Sequence, residues 1–309
     1  MSLEVTQHHK LQYAASVQMV AQQTKNPLMN AVTVAPATGE AQSVSDLLDQ
    51  VEYSRGEEKS RRNPENPVKG TRRWAVLTPS IESGQYITKE DKFKTATDPT
   101  STYVRAHTMA VNRGIADLIL GVSKGADGKF SVTEGGILGI AREGKTPGVG
   151  TPLPAAQYLA HGDTGLTLEK LIAAKEQLHL ADFGLEDNMD QLFCVITPKQ
   201  ITDLLNIAVA AKQSLNAFEI QQLQSGKPTS LLGVTWIFTN RSPFKAAGVR
   251  LCPIFAKSNI VYAEWQGLIG QMWNDTSAKN LPYAHVDAYG DCVRAEDKGV
   301  IAIECKEAA

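Results

Sequence analysis

Asp98-Pro99-Thr100-Ser101-Thr102-Tyr103 opens the stretch that decides the fold, and it runs on through Val104, Arg105 and Ala106 to Gly121. Asp98 is a good N-cap, and Pro99 suits the first helical position, where its missing N–H costs nothing. Val104, His107, Val111, Leu118 and Val122 follow at spacings of three, four and seven, joined by Tyr103, Ala110, Ile115 and Ile119. That rhythm keeps one face of a helix apolar. Arg105, Asn112, Arg113 and Asp117 keep the other face polar. The spacing predicts a helix over 99–120, about 33 Å long at ~1.5 Å per residue. Gly114 inside it costs about 1 kcal/mol against alanine, so another element is expected to approach closely there.

Moving toward the N-terminus, residues 74–87 (WAVLTPSIESGQYI) are rich in β-branched and aromatic side chains and read as strand. The segment before them, 52–73 (EYSRGEEKSRRNPENPVKGTRR), is nearly devoid of apolar residues. Its seven basic residues (Arg55, Lys59, Arg61, Arg62, Lys69, Arg72, Arg73) outnumber four acidic ones, and Pro64 and Pro67 sit at its centre. Composition alone is equally consistent with a solvated loop. A polar tip leading into a strand predicts a projecting hairpin, reaching on the order of 50 Å at ~3.3 Å per residue. Residues 7–24 form a modestly amphipathic helical pattern. Pro27, Pro36 and Gly39 then interrupt an arm with little to pack on within its own chain.

Toward the C-terminus, residues 121–165 are rich in glycine and proline, with short strands expected at 130–133 and 136–140. Helices are expected at 167–179, 198–211 and 215–223. Strands are expected at 191–196, 231–239, 249–255, 284–294 and 299–305, the last two joined by Ala295-Glu296-Asp297-Lys298. Helices and strands mix without a βαβ rhythm, which defines an α+β chain.

The chain has 309 residues, 42% of them hydrophobic and 21% charged, enough for a substantial core and two domains or one large one. A net charge of -2 argues against a dominant basic surface for nucleic acid. Cys194, Cys252, Cys292 and Cys305 have no paired spacing and read as reduced thiols. No signal peptide and no membrane span is expected. Gly139-Ile140-Ala141-Arg142-Glu143-Gly144-Lys145-Thr146 matches the phosphate-binding loop letter for letter. That loop requires a helix starting at the lysine, and Pro147, Gly148, Gly150, Pro152 and Pro154 forbid one. Gly121-Val122-Ser123-Lys124-Gly125 matches a nucleophile elbow but trails a helix, so it reads as a helix C-cap. His107, His161, His179 and His285 lie at no metal-ligand spacing. No catalytic residue, cofactor site or metal site is expected.

Arg72-Arg73-Trp74, then Asp91-Lys92-Phe93-Lys94, then Asp98-Pro99-Thr100-Ser101-Thr102-Tyr103, with Arg113 and Ala116-Asp117 inside the helix, form an ordered set. Together with Cys292-Val293-Arg294-Ala295-Glu296 and Val300-Ile301-Ala302-Ile303-Glu304, this set resembles the major capsid proteins of tailed bacteriophages with the Hong Kong 97-type fold. The resemblance spans nearly the whole chain. It implies an N-terminal arm over 1–45, an extended loop over 46–92 and a peripheral domain with a spine helix over 93–165. It further implies an axial domain over 166–262 and a return to the peripheral domain over 263–309. It also implies a non-enzymatic shell subunit assembling into pentamers and hexamers in the host bacterial cytoplasm. Expected partners are portal, scaffolding and decoration proteins, with double-stranded DNA held non-specifically and no membrane. Arg55, Arg61, Arg62, Lys69, Arg72, Arg73 and Trp74 are then the residues expected to touch neighbouring subunits. The arm is short and lacks long heptads, which disfavours a built-in scaffold; Lys59 and Lys69 have no identifiable cross-linking partner. An encapsulin-like compartment shares the implied fold and is the alternative; a nucleotide-binding enzyme rests only on the 139–146 match.

Overall fold

The structure, a computed structural model, describes residues 15–17, 20, 26–48, 70–87, 99–184, 190–210 and 230–307. The helices among them are α1 (Pro99–Leu120), α2 (Leu168–Leu180) and α3 (Pro198–Ala210). The N-terminal strands are β1 (Thr33–Pro36), β2 (Ala41–Leu48), β3 (Gly70–Val76) and β4 (Ile81–Tyr86). After α1 come β5 (Val122–Lys124), β6 (Phe130–Val132), β7 (Ala141–Glu143), β8 (Val149–Thr151) and β9 (Tyr158–Leu159). The C-terminal half holds β10 (Leu192–Ile196), β11 (Ser230–Leu231), β12 (Val234–Phe238), β13 (Phe244–Ala246) and β14 (Val249–Ala256). It ends with β15 (Ile260–Asp275), β16 (Leu281–Arg294) and β17 (Val300–Lys306).

Helix α1 spans the predicted residues; its expected cap, Asp98, lies outside the described ones. Its apolar face (Val104, Val111, Ile115, Ile119) packs on the sheet β1-β15-β16-β4 and forms the first core with Leu28, Tyr262, Val286 and Cys292. A Cβ on Gly114 would run into Ile81 Cγ2 of β4, so the close approach expected at this glycine is real. Gly121 ends the helix at φ 71°, its N–H donating to the Leu118 carbonyl at 3.1 Å. Ser123 lies beyond it on β5, an exposed two-stranded hairpin with β6, so no elbow forms.

A second core is built by α2 and the sheet β11-β12-β10-β14-β17-β9, with Leu171, Ala174, Leu178, Cys194, Ile196, Trp236, Cys252 and Ile303 interlocked. Thr167 caps α2 by accepting from the Lys170 N–H. β10 is buried at every residue, as a central strand covered on both faces must be. The expected strand 231–239 splits at a two-residue turn, Leu232-Gly233, into β11 and β12. β17 pairs with β14 from Val300 to Lys306 and alternates between the cores, with Ile301, Ile303 and Cys305 in the second and Val300 and Ala302 in the first. All four cysteines are free and fully buried.

Several expectations change. Residues 26–48 are not without support in their own chain. Leu28 and Ala31 are buried, β1 runs parallel to β15 from Thr33↔Val261, and β2 pairs with β3. The backbone supplies most of this anchoring, so low hydrophobicity did not reveal it. Residues 136–140 form a turn rather than a strand, and 74–87 break into β3 and β4 around Pro79. β15, 16 residues long, had no counterpart in the sequence reading. Of the helix expected over 7–24, residues 15–17 and 20 are described and helical; the one expected over 215–223 lies outside the described residues.

Candidate assembly surface

β2 and β3 form an antiparallel ribbon from Ala41↔Val76 out to Leu48↔Gly70, and the residues that connect them, 49–69, carry Arg55, Arg61, Arg62 and Lys69. These four predicted contact residues lie outside the described residues. The root of the ribbon is fully described. β3 alternates as a half-buried strand must: Arg72 is exposed, Arg73 and Ala75 are buried, and Trp74 is half-buried. Arg72 lies over the Trp74 ring, 5.5 Å from its centroid, and Trp74 Nε1 donates to the Gly144 carbonyl at 2.8 Å.

Arg73 departs from the expectation that it faces a neighbour. Only 4% of it is exposed, and Nη2 meets Asp297 Oδ2 at 2.9 Å and Glu143 Oε2 at 3.4 Å, both in its own chain. The other oxygen of Asp297 accepts from Arg294 Nε at 2.6 Å. Arg294 has no exposed surface. It also donates to the carbonyls of Gly139 and Thr151, so it holds the glycine-rich segment from inside. Three residues before Arg294 on the same strand, the buried Asp291 accepts from the Val76 N–H at 2.9 Å and from Arg142 Nη1 at 2.7 Å. Burial pushes its carboxyl above the usual range; the Val76 N–H and the Arg142 guanidinium oppose that rise. Sequence reading missed Asp291, Arg294 and Asp297, because the partners that tie them to β3, β7 and β8 lie 143 to 224 residues away in the chain.

The segment 139–146 is part of this root. Ala141–Glu143 and Val149–Thr151 form the hairpin β7–β8, β7 pairs with β3 through Arg73↔Glu143, and Lys145 lies in its exposed turn. No helix begins there, so the free N–H groups that would cradle a phosphate are lacking.

Other large apolar groups are exposed on the subunit. Leu180 is 79% exposed and Ile172 50%, on the outer face of α2 beside Glu169 and Glu176. Across β15, β16 and β4 the exposed Trp273 and Tyr86 flank Tyr283, with ring centroids 5.1 and 4.7 Å from it, and Tyr86 donates to Asp275 at 2.6 Å. Among the described residues no helix is long and apolar enough to cross a membrane.

A long spine helix crossing a sheet of long strands, a second sheet-and-helix core, and a ribbon leaving the body define the Hong Kong 97-type class of shell-forming subunits. Solved structures bear this out. The capsid of Ralstonia phage GP4 superposes with a TM-score of 0.62 at 14% identity, covering 90% of this chain and 88% of that one. The capsid of cyanophage P-SCSP1u gives 0.60 at 12% identity, covering 92% and 89%. The encapsulin of Synechococcus elongatus PCC 7942 gives 0.56 at 13%, covering 91% and 87%, so the fold alone does not separate a virus shell from a protein compartment. No curated protein matches the sequence. The model of the phage capsid protein family matches residues 5–307, and the chain belongs to that family. It is a phage major capsid protein, a self-associating structural component of the virion and not an enzyme.

Proposed function

We propose that this subunit forms pentamers and hexamers that close into an icosahedral shell around double-stranded DNA, assembling in the host bacterial cytoplasm. The observation that carries the reading is the β2–β3 ribbon. Its root is bonded into the subunit at Arg73, Trp74 and Val76, and its connecting residues, 49–69, are densely charged with both signs and carry almost no apolar side chains. Such a segment contributes little to its own core, and a neighbouring subunit supplies the surface it needs. In this assignment residues 46–92 are the extended loop, 1–45 the arm, 93–165 the peripheral unit with α1 as spine, 166–262 the axial unit and 263–309 the return. The second hydrophobic core supports an axial unit, its buried residues falling within 166–256 and 301–305, while the other face of the same sheet (Phe193, Val195, Phe255) packs into the first core. Arg55, Arg61, Arg62, Lys69, Arg72 and Trp74 are the proposed neighbour contacts. Portal, scaffolding and decoration proteins are further partners of the shell. The net charge of -2 suits a wall that faces DNA without gripping it.

Light scattering and negative-stain microscopy of the purified full-length protein test this reading. Capsomers or closed shells are expected, with DNA inside native particles. A monomer at every concentration, alone or with the phage's other head proteins, overturns it; native particles filled with an enzyme instead make it a compartment.

A further inference from the structure

We infer that Arg73 is a positioning residue for assembly: through the Asp297 carboxylate, which it shares with Arg294, it fixes the direction in which the β2–β3 ribbon leaves the subunit. The inference rests on the reading of that ribbon as the loop that engages a neighbour.

Three parts of the chain meet at one carboxylate. Arg73 comes from the ribbon, and Asp297 from the turn between β16 and β17. Arg294, at the end of β16, holds Asp297 Oδ1 with Nε and the carbonyls of Gly139 and Thr151 with its other nitrogens. Asp297 thus takes one guanidinium on each oxygen, and their planes fix where β3 can lie relative to the body. Glu143, 3.4 Å from Arg73 on the paired strand β7, adds a second restraint from the side. β7 pairs with β3 only at Arg73 and Trp74, so past that point the ribbon is two-stranded and backbone pairing leaves it free to twist; a side chain bonded in two directions at the root removes that freedom.

The arrangement is a poor one if stability were its only purpose. Arg73 Nε and Nη1 are buried with no hydrogen-bond partner among the described residues, a desolvation cost that an apolar side chain of similar size would avoid. What the charge supplies is orientation. Neighbours repeat under one symmetry operator, so a fixed departure angle at the root becomes a fixed contact in every copy.

The test compares full-length Arg73→Met, Arg73→Lys, Asp297→Asn and Arg72→Glu. The readouts are thermal melting and hydrogen exchange of the unassembled subunit, and shell yield by microscopy at equal concentration. Arg73→Met and Asp297→Asn should keep a single cooperative melt while amides of 70–76 and 141–151 exchange about tenfold faster or more, and closed shells should be lost or misshapen. Arg73→Lys should recover part of both. Arg72→Glu should reduce shells with exchange unchanged, because that side chain faces outward. Normal shells from Arg73→Met while Arg72→Glu blocks them overturn this inference alone; normal shells from both overturn the loop reading beneath it. Lost shells without faster exchange make Arg73 a direct contact. Failure of both Arg73→Met and Asp297→Asn to fold makes the cluster part of the core; either result also overturns the inference.

Discussion

His107 sits on the buried side of α1, with Nδ1 2.8 Å from Ser83 Oγ on β4 and Nε2 without a partner among the described residues. Burial, and secondarily the nearby His285, lower its pKa below the ordinary value of 6.5. As pH falls through 6.5 the unfolded chain therefore takes up a proton before the folded one does, and stability declines from that point downward. The sign is that of a histidine stored neutral. Chemical denaturation of the unassembled subunit between pH 7.5 and about 5 should show a steeper loss for the natural protein than for His107→Gln. Other titrating groups, such as Asp291, are common to both chains and cancel in the difference. Identical slopes would mean that His107 takes its proton freely in the folded state. Arg73 illustrates what a single residue conceals. Arginine is rarely buried, so a basic pair at the edge of a polar segment reads as exposed. Only its pairing with Asp297, 224 residues away, turns it inward.

At the scale of elements, the junction of α1 and β4 makes a quantitative claim. Gly114→Ala recovers about 1 kcal/mol of helix propensity. The new methyl, however, meets Ile81 Cγ2, a branch fixed to a strand, and such overpacking costs about 1–3 kcal/mol. A net loss of about 1 kcal/mol is expected. Ile81→Ala removes the obstructing methyl, so the double variant should be more stable than the two separate losses added together imply. Strict additivity in urea unfolding would show that the helix and strand adjust freely. The helix itself was legible because capping residue, spacing and terminal glycine all agree over 22 residues. β15 was not, since its pairing with β16 shifts register between Glu264 and Ile269 and its alternation is lost there. Strands β1 and β2 escaped notice for another reason: they are held by ladder hydrogen bonds to β15 and β3, which leave little mark on side-chain composition.

At the scale of the whole molecule, the proposed loop contacts make a prediction about assembly. Reversing Arg61, Arg62 and Arg72 to glutamate removes basic groups from the proposed loop and leaves Arg73 and the buried cluster intact. An exposed ion pair contributes only about 0–1 kcal/mol, but a closed shell repeats every contact in all its copies. The triple variant should therefore melt like the natural subunit and fail to form shells. Shell formation by the natural protein should weaken with added salt. Normal shells from the variant would remove these arginines from the account of assembly. The overall class of the molecule was readable because its most regular helix lies between two unusual segments. The proposed contact residues could be read only as a region, since the sequence of one copy does not show the surface a neighbour would provide.

The burial of every thiol has a practical side. With Cys194, Cys252, Cys292 and Cys305 all sealed inside the two cores, the folded subunit offers water-borne alkylating reagents no native target. A lone cysteine introduced at a position as open as Leu180 would become the single attachment point for a dye or cargo, and labelling of the unaltered protein would report unfolding rather than surface.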